Sequence, residues 1–358
     1  MTAPDLAALR ARLDTLLGER DRQFPRRDPA NTLAVREAIA TWAAAARGMP
    51  RAPWTLDPAL EAEALGLAEA AVFVGGAMKS GTTLLLGLLD GHPELTALPG
   101  DSHMLTMLAR ERGEPGDVEA AAHWMTVLVN PYGQRPFWFL GEGPEPYRDF
   151  LHALDHWRRV LPADGRRAFL SAVLALHCVN PRRARRPRAW VEKTPGNEAR
   201  VEALVALFPR ARFLHVVREP RANLASIKQL VRYRGWRWRA PMAIWRLRRS
   251  LAAAHANRRR LAPDRYHVVR YEDLVTDPRG VMAGVAAFLG VGWDDCLLTA
   301  TSNGVPLTSN SMYEDRRVSG AVLGAVDERW RRELSVAEQA LAALLLRSAG
   351  RGHGYLAR

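Results

Sequence analysis

AVFVGGAMKSGTTLLLGLLD occupies residues 71–90. Its first four residues are apolar and bounded by glycines, as in a buried strand, and the leucine-rich run over 82–90 suits a helix packed against that strand. Between them, Gly76 and Gly81 let the chain bend tightly enough to present backbone amides to an anion. A helix starting near Gly81 aims its unpaired N–H groups and positive dipole end at the same point. The spacing Gly76-x-x-x-x-Gly81 matches a nucleotide phosphate loop, yet Thr82 stands where an NTPase loop carries lysine. The lysine of this loop is Lys79, inside it.

Three further segments read as strands: PRAWVEK (187–193), ARFLHVVR (211–218) and YHVVRYEDL (266–274). Helical patterns at roughly 82–90, 145–160, 167–179, 197–208, 220–231, 240–261 and 278–290 separate or follow them. This alternation predicts an α/β, P-loop-like three-layer fold, a central parallel sheet flanked by helices, with helical additions at both termini. Ligands of such sheets bind outside the carboxyl ends of the strands. Arg218, not an acidic residue, follows ARFLHVV, so the carboxylate that holds magnesium in an ATPase has no counterpart. A phosphate cradle without that apparatus suits a sulfuryl or phosphate ester handled without metal.

Residues 1–70 form the expected N-terminal helical extension and 71–358 the main domain. Breaks at Pro25, Pro29, Pro50 and Pro53 divide the extension into two or three helices, the first with Leu6, Leu9, Leu13, Leu16 and Leu17 on one face. That pattern is an amphipathic helix rather than a signal peptide, and the apolar runs near 84–89 and 341–346 are short for a bilayer, so a cytoplasmic protein is expected. Cys178 and Cys296 lie far apart without metal-ligand spacing, which predicts two buried thiols and neither a disulfide framework nor a zinc site.

The formal net charge is +13, and only Lys79, Lys193 and Lys228 among the 51 basic residues are lysine. A site that requires a compact point charge, not a planar fork, is one place where lysine would persist against such a bias. RYRGWRWRAPMAIWRLRR (232–249) interleaves arginine with tryptophan, the composition of a non-enzymatic nucleic-acid or membrane-surface binder. Trp236, Trp238 and Trp245 share no single helical stripe, however, and such charge runs are usually solvated. No dedicated nucleic-acid partner is expected, and membrane-surface contact stays open. A P-loop kinase-like phosphotransferase is the nearest enzyme alternative, disfavoured by Thr82 and Arg218.

FVGGAMKSGTTLLLGLLDGHPEL (73–95) resembles the 5′-phosphosulfate loop, helix and HPE turn of the sulfotransferases that use 3′-phosphoadenosine 5′-phosphosulfate (PAPS), in particular the branch of tyrosylprotein sulfotransferases and bacterial relatives. VEKTPGNEARVEALVALFPRARFLHVVREPRANLASI (191–227) resembles that family's EKTP segment and its 3′-phosphate motif, an Arg after a strand followed eight residues later by a Ser, here Arg218 and Ser226. VVRYEDLVTDPRGVMAGVAAFLG (268–290) is similar to a third, less specific block.

The resemblance implies PAPS as co-substrate, no metal, and a hydroxyl-bearing acceptor whose class it leaves open. The amides of Ser80, Gly81, Thr82 and Thr83, with the two threonine hydroxyls, would hold the 5′-phosphosulfate. Lys79 would sit beside the bridging oxygen and Lys193 near the transferring group, where fixed cations favour the transition state. Arg218 and Ser226 would bind the 3′-phosphate, and Tyr271 matches a family tyrosine near the nucleotide. Ser309, Asn310 and Ser311, with Arg316 and Arg317, could form a closing loop. For the base that takes the acceptor proton, Asp101 is the nearest match to the family glutamate, after a longer loop, and His103 is the competing candidate. Asp101 as a simple helix N-cap is the bland alternative.

Overall fold

A computed structural model describes residues 6–22, 28–48, 55–102, 140, 145–307, 320, 322 and 328–355. The chain opens with α1 (Leu6–Arg22), α2 (Pro29–Gly48), α3 (Pro58–Gly66), β1 (Ala71–Gly76), α4 (Thr82–Leu89) and β2 (Leu95–Asp101). It continues through α5 (Glu145–Val160), α6 (Arg167–Val179), β3 (Ala189–Lys193), α7 (Val201–Leu207), β4 (Arg212–Val217) and α8 (Pro220–Tyr233). Then come α9 (Ala240–Arg260), β5 (Tyr266–Arg270), α10 (Tyr271–Thr276), α11 (Pro278–Leu289), the two-residue strands β6 (Thr301–Ser302) and β7 (Val305–Pro306), α12 (Trp330–Glu333) and α13 (Val336–Arg351). These elements form two compact units, Met1–Ala68 with Leu98–Arg185, and Glu69–Ala97 with Arg186–Arg358.

The first unit is helical. Leu9, Leu13 and Leu16 of the anticipated leucine face pack with Val35 and Ala38 of α2. On α5, Tyr147, Phe150, Leu154 and Trp157 recur at helical spacing and are buried. Buried His177 of α6 meets Glu63 of α3 at 3.0 Å, and burial pulls the imidazole below its usual pKa. Cys178, beside it, is buried, and its thiol is pushed up to about 11.

The sheet has the order β2-β3-β1-β4-β5; strands β3, β1, β4 and β5 and the start of β2 belong to the second unit, and Leu98–Asp101 of β2 to the first. β1 pairs in parallel with β3 and β4, and β4 in parallel with β5. β1 is buried along its whole length, which is why its sequence is continuously apolar. On one face Phe73 packs among Trp190, Phe208 and Phe213. On the other, Val72 and Val74 meet Leu85, Leu88 and Leu89 of α4. A further apolar layer joins Leu224 and Ile227 of α8 to Ile244, Leu247 and Leu251 of α9 and Leu346 of α13.

Three elements differ from the sequence reading. LTALPGD (95–101) is a strand; its Pro99 and Gly100 are tolerated because β2 is an edge. The segment expected to be a strand over 266–274 stops at Arg270, and Tyr271 starts a helix whose first turn carries Glu272 and Asp273 against the positive dipole end. The helix expected over 197–208 splits into a 3-10 turn (Asn197–Ala199) and α7, because buried Asn197 and Glu198 are bonded to distant backbone instead. Among the described residues no helix is long and apolar enough to cross a membrane.

Candidate active site

The candidate residues follow from the sheet. Lys79 comes three residues after β1, Lys193 ends β3, Arg218 follows β4 directly, and Tyr271 follows β5 directly. The parallel register brings these strand ends together: Val74 lies opposite Lys193, Gly76 opposite Val216, and Val217 opposite Arg270.

The loop between β1 and α4 is tightly bent. Gly76 has φ 146° and Gly81 φ 110°, both in the range that favours glycine, and Lys79 adopts φ 67° despite its side chain. A Cβ on Gly76 would stand 2.5 Å from the carbonyl of Val216 and 2.7 Å from the hydroxyl of Ser80. One on Gly81 would stand 2.5 Å from the Tyr271 ring. α4 therefore begins at a glycine with no side-chain cap, and its first N–H groups face the loop. One expectation is corrected: the Ser80 amide donates to the carbonyl of Ala77 at 3.0 Å, closing a turn inside the loop, so it is not among the amides offered outward. The Ser80 hydroxyl is buried without a hydrogen-bond partner.

Side chains from later in the chain hold this loop. The guanidinium of Arg218 donates to the Lys79 carbonyl at 3.0 Å and lies 4.4 Å from the centre of the Tyr271 ring. Its Nε is buried and unpartnered. Asn223 of α8 donates to the Met78 carbonyl at 2.8 Å. Lys193, 3% exposed, donates to the Thr83 hydroxyl at 3.1 Å. Thr82 is buried. Ser226 is buried on α8, which starts where Glu219 caps the Ala222 N–H at 2.7 Å and Pro220 presets the first turn.

Sequence reasoning missed Glu198. Its carboxylate accepts the N–H of Gly76 at 2.7 Å and of Gly196 at 3.0 Å, tying the start of the phosphate loop to the turn after Lys193. Burial raises its pKa, while the Ser250 hydroxyl and the two glycine N–H groups favour the ionised form. Ser250 also meets Nε2 of His215 at 3.3 Å, whose Nδ1 meets the Tyr266 hydroxyl at 2.7 Å. Burial holds His215 down to about 3, so it is neutral. Next to Lys193, fully buried Glu192 accepts from Thr194 and from Asn197, each at 2.6 Å, and fixes the turn that follows the lysine. The available signal was charged and amide residues inside an otherwise apolar strand and turn.

Asp101 is the last residue of β2 and is half-buried. The residues that a helix capped by Asp101 would occupy, from 103 onward, lie outside the described residues. Lys228 is not in this cluster; it is 8% exposed and donates to Glu338 at 2.6 Å and to the Glu333 carbonyl at 2.9 Å, anchoring α13. His103, Ser309, Asn310, Ser311, Arg316 and Arg317 lie outside the described residues.

A family model described as the sulfotransferase family matches residues 71–295. Among curated proteins, the chain is 25% identical over 268 residues to a protein-tyrosine sulfotransferase of Drosophila melanogaster, covering 72% of this chain and 46% of that one. It is 24% identical over 306 residues to the omega-hydroxy-beta-dihydromenaquinone-9 sulfotransferase Stf3 of Mycobacterium bovis, covering 74% of each. The chain thus spans about half the length of the fly relative. Among solved structures it is similar to the sulfotransferase domain of the Synechococcus PCC 7002 olefin synthase, with a TM-score of 0.49, 24% identity, and coverage of 78% of this chain and 93% of that one.

Proposed function

The chain belongs to the sulfotransferase family, and from that premise we propose that it moves the sulfuryl group of PAPS to a hydroxyl of an acceptor, in line and without metal. One observation carries the reading: Lys193 bonded to the Thr83 hydroxyl, and Arg218 bonded to the Lys79 carbonyl, bring two cations from other strand ends onto a phosphate-type loop whose own sequence carries a third. The residues fit the donor. The Ser80 hydroxyl and Arg218 Nε are buried polar atoms without partners, and glycine at 76 and 81 lets the loop close against Val216 and Tyr271, where a Cβ would collide.

PAPS supplies a sulfuryl group on a phosphate leaving group. The first-turn amides of α4 and the Thr83 hydroxyl would hold the 5′ end. Lys79 and Lys193 would offset the charge that grows on the bridging oxygen and on the transferring group, an interaction stronger in the transition state than in the ground state. Arg218 and Ser226 would bind the 3′-phosphate, with the Tyr271 ring fixing the guanidinium plane. Asp101 is the proposed base, with His103 as its alternative. Both relatives carry names that put a hydroxyl on the acceptor, and a hydroxyl is the proposed nucleophile here.

Calorimetry with adenosine 3′,5′-bisphosphate and ATP, both in EDTA, tests the donor. Tight binding of the bisphosphate and weak binding of ATP are expected. Equal affinities, or a strict need for magnesium, would remove the donor assignment. Transfer of labelled sulfate from PAPS to a panel of peptide, lipid and small-molecule alcohols then identifies the acceptor.

A further inference from the structure

From Pro220 to Pro263 the chain contains no Asp or Glu and twelve Arg or Lys residues, nearly the whole net charge of +13. Charge alone is a solvated face. What distinguishes this segment is the apolar surface set among the charges. Trp236, Met242 and Trp245 are 52%, 47% and 54% exposed. Met242, Trp245, Arg246 and Arg249 recur at helical spacing on one face of α9, while Ala243, Ile244, Leu247 and Leu251 bury the opposite face. Each exposed indole has a guanidinium over it, Arg234 at 4.5 Å from the Trp236 ring and Arg249 at 5.5 Å from Trp245. Trp238, between them in sequence, is spent on packing, its indole N–H donating to Glu338 at 2.6 Å. Among the described residues no carboxylate lies within ion-pair distance of Arg237, Arg239, Arg246, Arg248 or Arg249, whereas Arg232 and Arg260 at the margins do pair, with Glu333 and Glu202.

We propose that this ridge, Trp236 to Arg249, docks the protein on an anionic phospholipid surface. Tryptophan prefers the headgroup level of a bilayer, where its apolar ring and polar N–H are both accommodated. A guanidinium beside each ring stays at the phosphates while the ring sinks toward the acyl chains. Met242, between the two indoles in sequence and exposed, gains from entering lipid; it gains nothing from a soluble polyanion. Arginines without carboxylate partners supply attraction to an anionic leaflet, and that attraction weakens as salt screens it. The proposal concerns binding and does not depend on the reaction assigned above.

Cosedimentation of the whole chain with phosphatidylcholine vesicles, with and without phosphatidylserine, tests it. Binding is expected to the vesicles containing phosphatidylserine and not to pure phosphatidylcholine, and to fall as NaCl is raised. The double variant Trp236→Ala/Trp245→Ala should lower partitioning about tenfold while leaving the melting temperature and bisphosphate affinity unchanged, since both side chains are exposed. Absence of binding to anionic vesicles would overturn the proposal, as would vesicle binding that the double variant leaves intact. So would a ridge that binds polyglutamate or single-stranded RNA with the same tryptophan dependence but leaves vesicles in solution.

Discussion

Arg218 reaches across the strand ends to the carbonyl of Lys79, at 3.0 Å. The proposed anchor of the 3′-phosphate and the proposed stabiliser of the leaving oxygen are therefore one mechanical unit, with the arginine gripping the loop at its strained residue, φ 67°. Removing the guanidinium should act on turnover as well as on affinity. Arg218→Ala is expected to weaken adenosine 3′,5′-bisphosphate binding by about 2–3 kcal/mol, the scale of a charge-assisted contact. It should also lower kcat, and Arg218→Lys should restore part of the affinity and less of the kcat. Calorimetry and steady-state kinetics separate the two; an Arg218→Ala enzyme with unchanged kcat would mean that the grip on Lys79 is dispensable.

Lys79→Gly offers the converse separation. Glycine accepts the left-handed backbone without penalty, so the variant should lose no more than about 1 kcal/mol of stability and could gain a similar amount. Turnover should fall by about 10²–10³-fold, the usual cost of losing a fixed charge at a developing anion, with bisphosphate affinity much less affected. A variant that loses donor binding and turnover in equal measure would make Lys79 an anchor.

Glu198 answers two backbone donors in a buried setting, Gly76 and Gly196. Glu198→Ala leaves both without a partner and is expected to cost about 3 kcal/mol in chemical denaturation. Glu198→Gln retains a carbonyl oxygen for those donors and should cost less. Bisphosphate affinity should follow the same order, because Gly76 opens the loop. Equal stability of the alanine variant and the wild-type protein would show the clasp to be idle.

The C-terminal helix is held by a second pair with a defined pH signature. Burial would raise the carboxyl of Glu338, but hydrogen bonds from Lys228, the Ser335 N–H and Trp238 bring it down to about 2 from its ordinary 4.5. A carboxyl depressed on folding contributes stability that is complete above the unfolded value and lost as pH falls through the folded one. Glu338→Gln should therefore destabilise by about 2–3 kcal/mol at neutral pH. The gap from wild type should close between pH 4.5 and 2. Melting curves over that range test the sign; a gap that widens with acid would contradict it.

Asp101→Asn removes the proton acceptor from the end of β2 and keeps the shape. As the proposed base, it should lower turnover by about 10²–10⁴-fold with bisphosphate affinity and thermal stability near wild type. Asp101→Glu, which restores the family's side chain, should retain measurable activity. An Asp101→Asn enzyme within a few-fold of wild type, beside an inactive His103→Gln enzyme, would transfer the role to the histidine.

The parts of this protein legible in its sequence are those whose physics is local. A strand bounded by glycines, a tight loop and a leucine-rich helix are specified within twenty residues (71–90), and the separation of Arg218 and Ser226 follows from a strand end and two turns of helix. Secondary structure was misread where a local signal ran against its surroundings. Pro99 and Gly100 disguise β2, which can carry them because it is an edge, and YEDLVT continues the apolar tone of β5 while its acidic pair starts a helix. What tertiary structure alone decided is which distant groups meet. Glu198 finds Gly76 from 122 positions away, Lys193 finds Thr83 from 110, and Lys228 finds Glu338 from 110. Side-chain periodicity assigns each residue a face of its own element but carries no register between elements. A buried carboxylate, or a lysine held between elements, acquires its partner only when the sheet closes and those faces pack together.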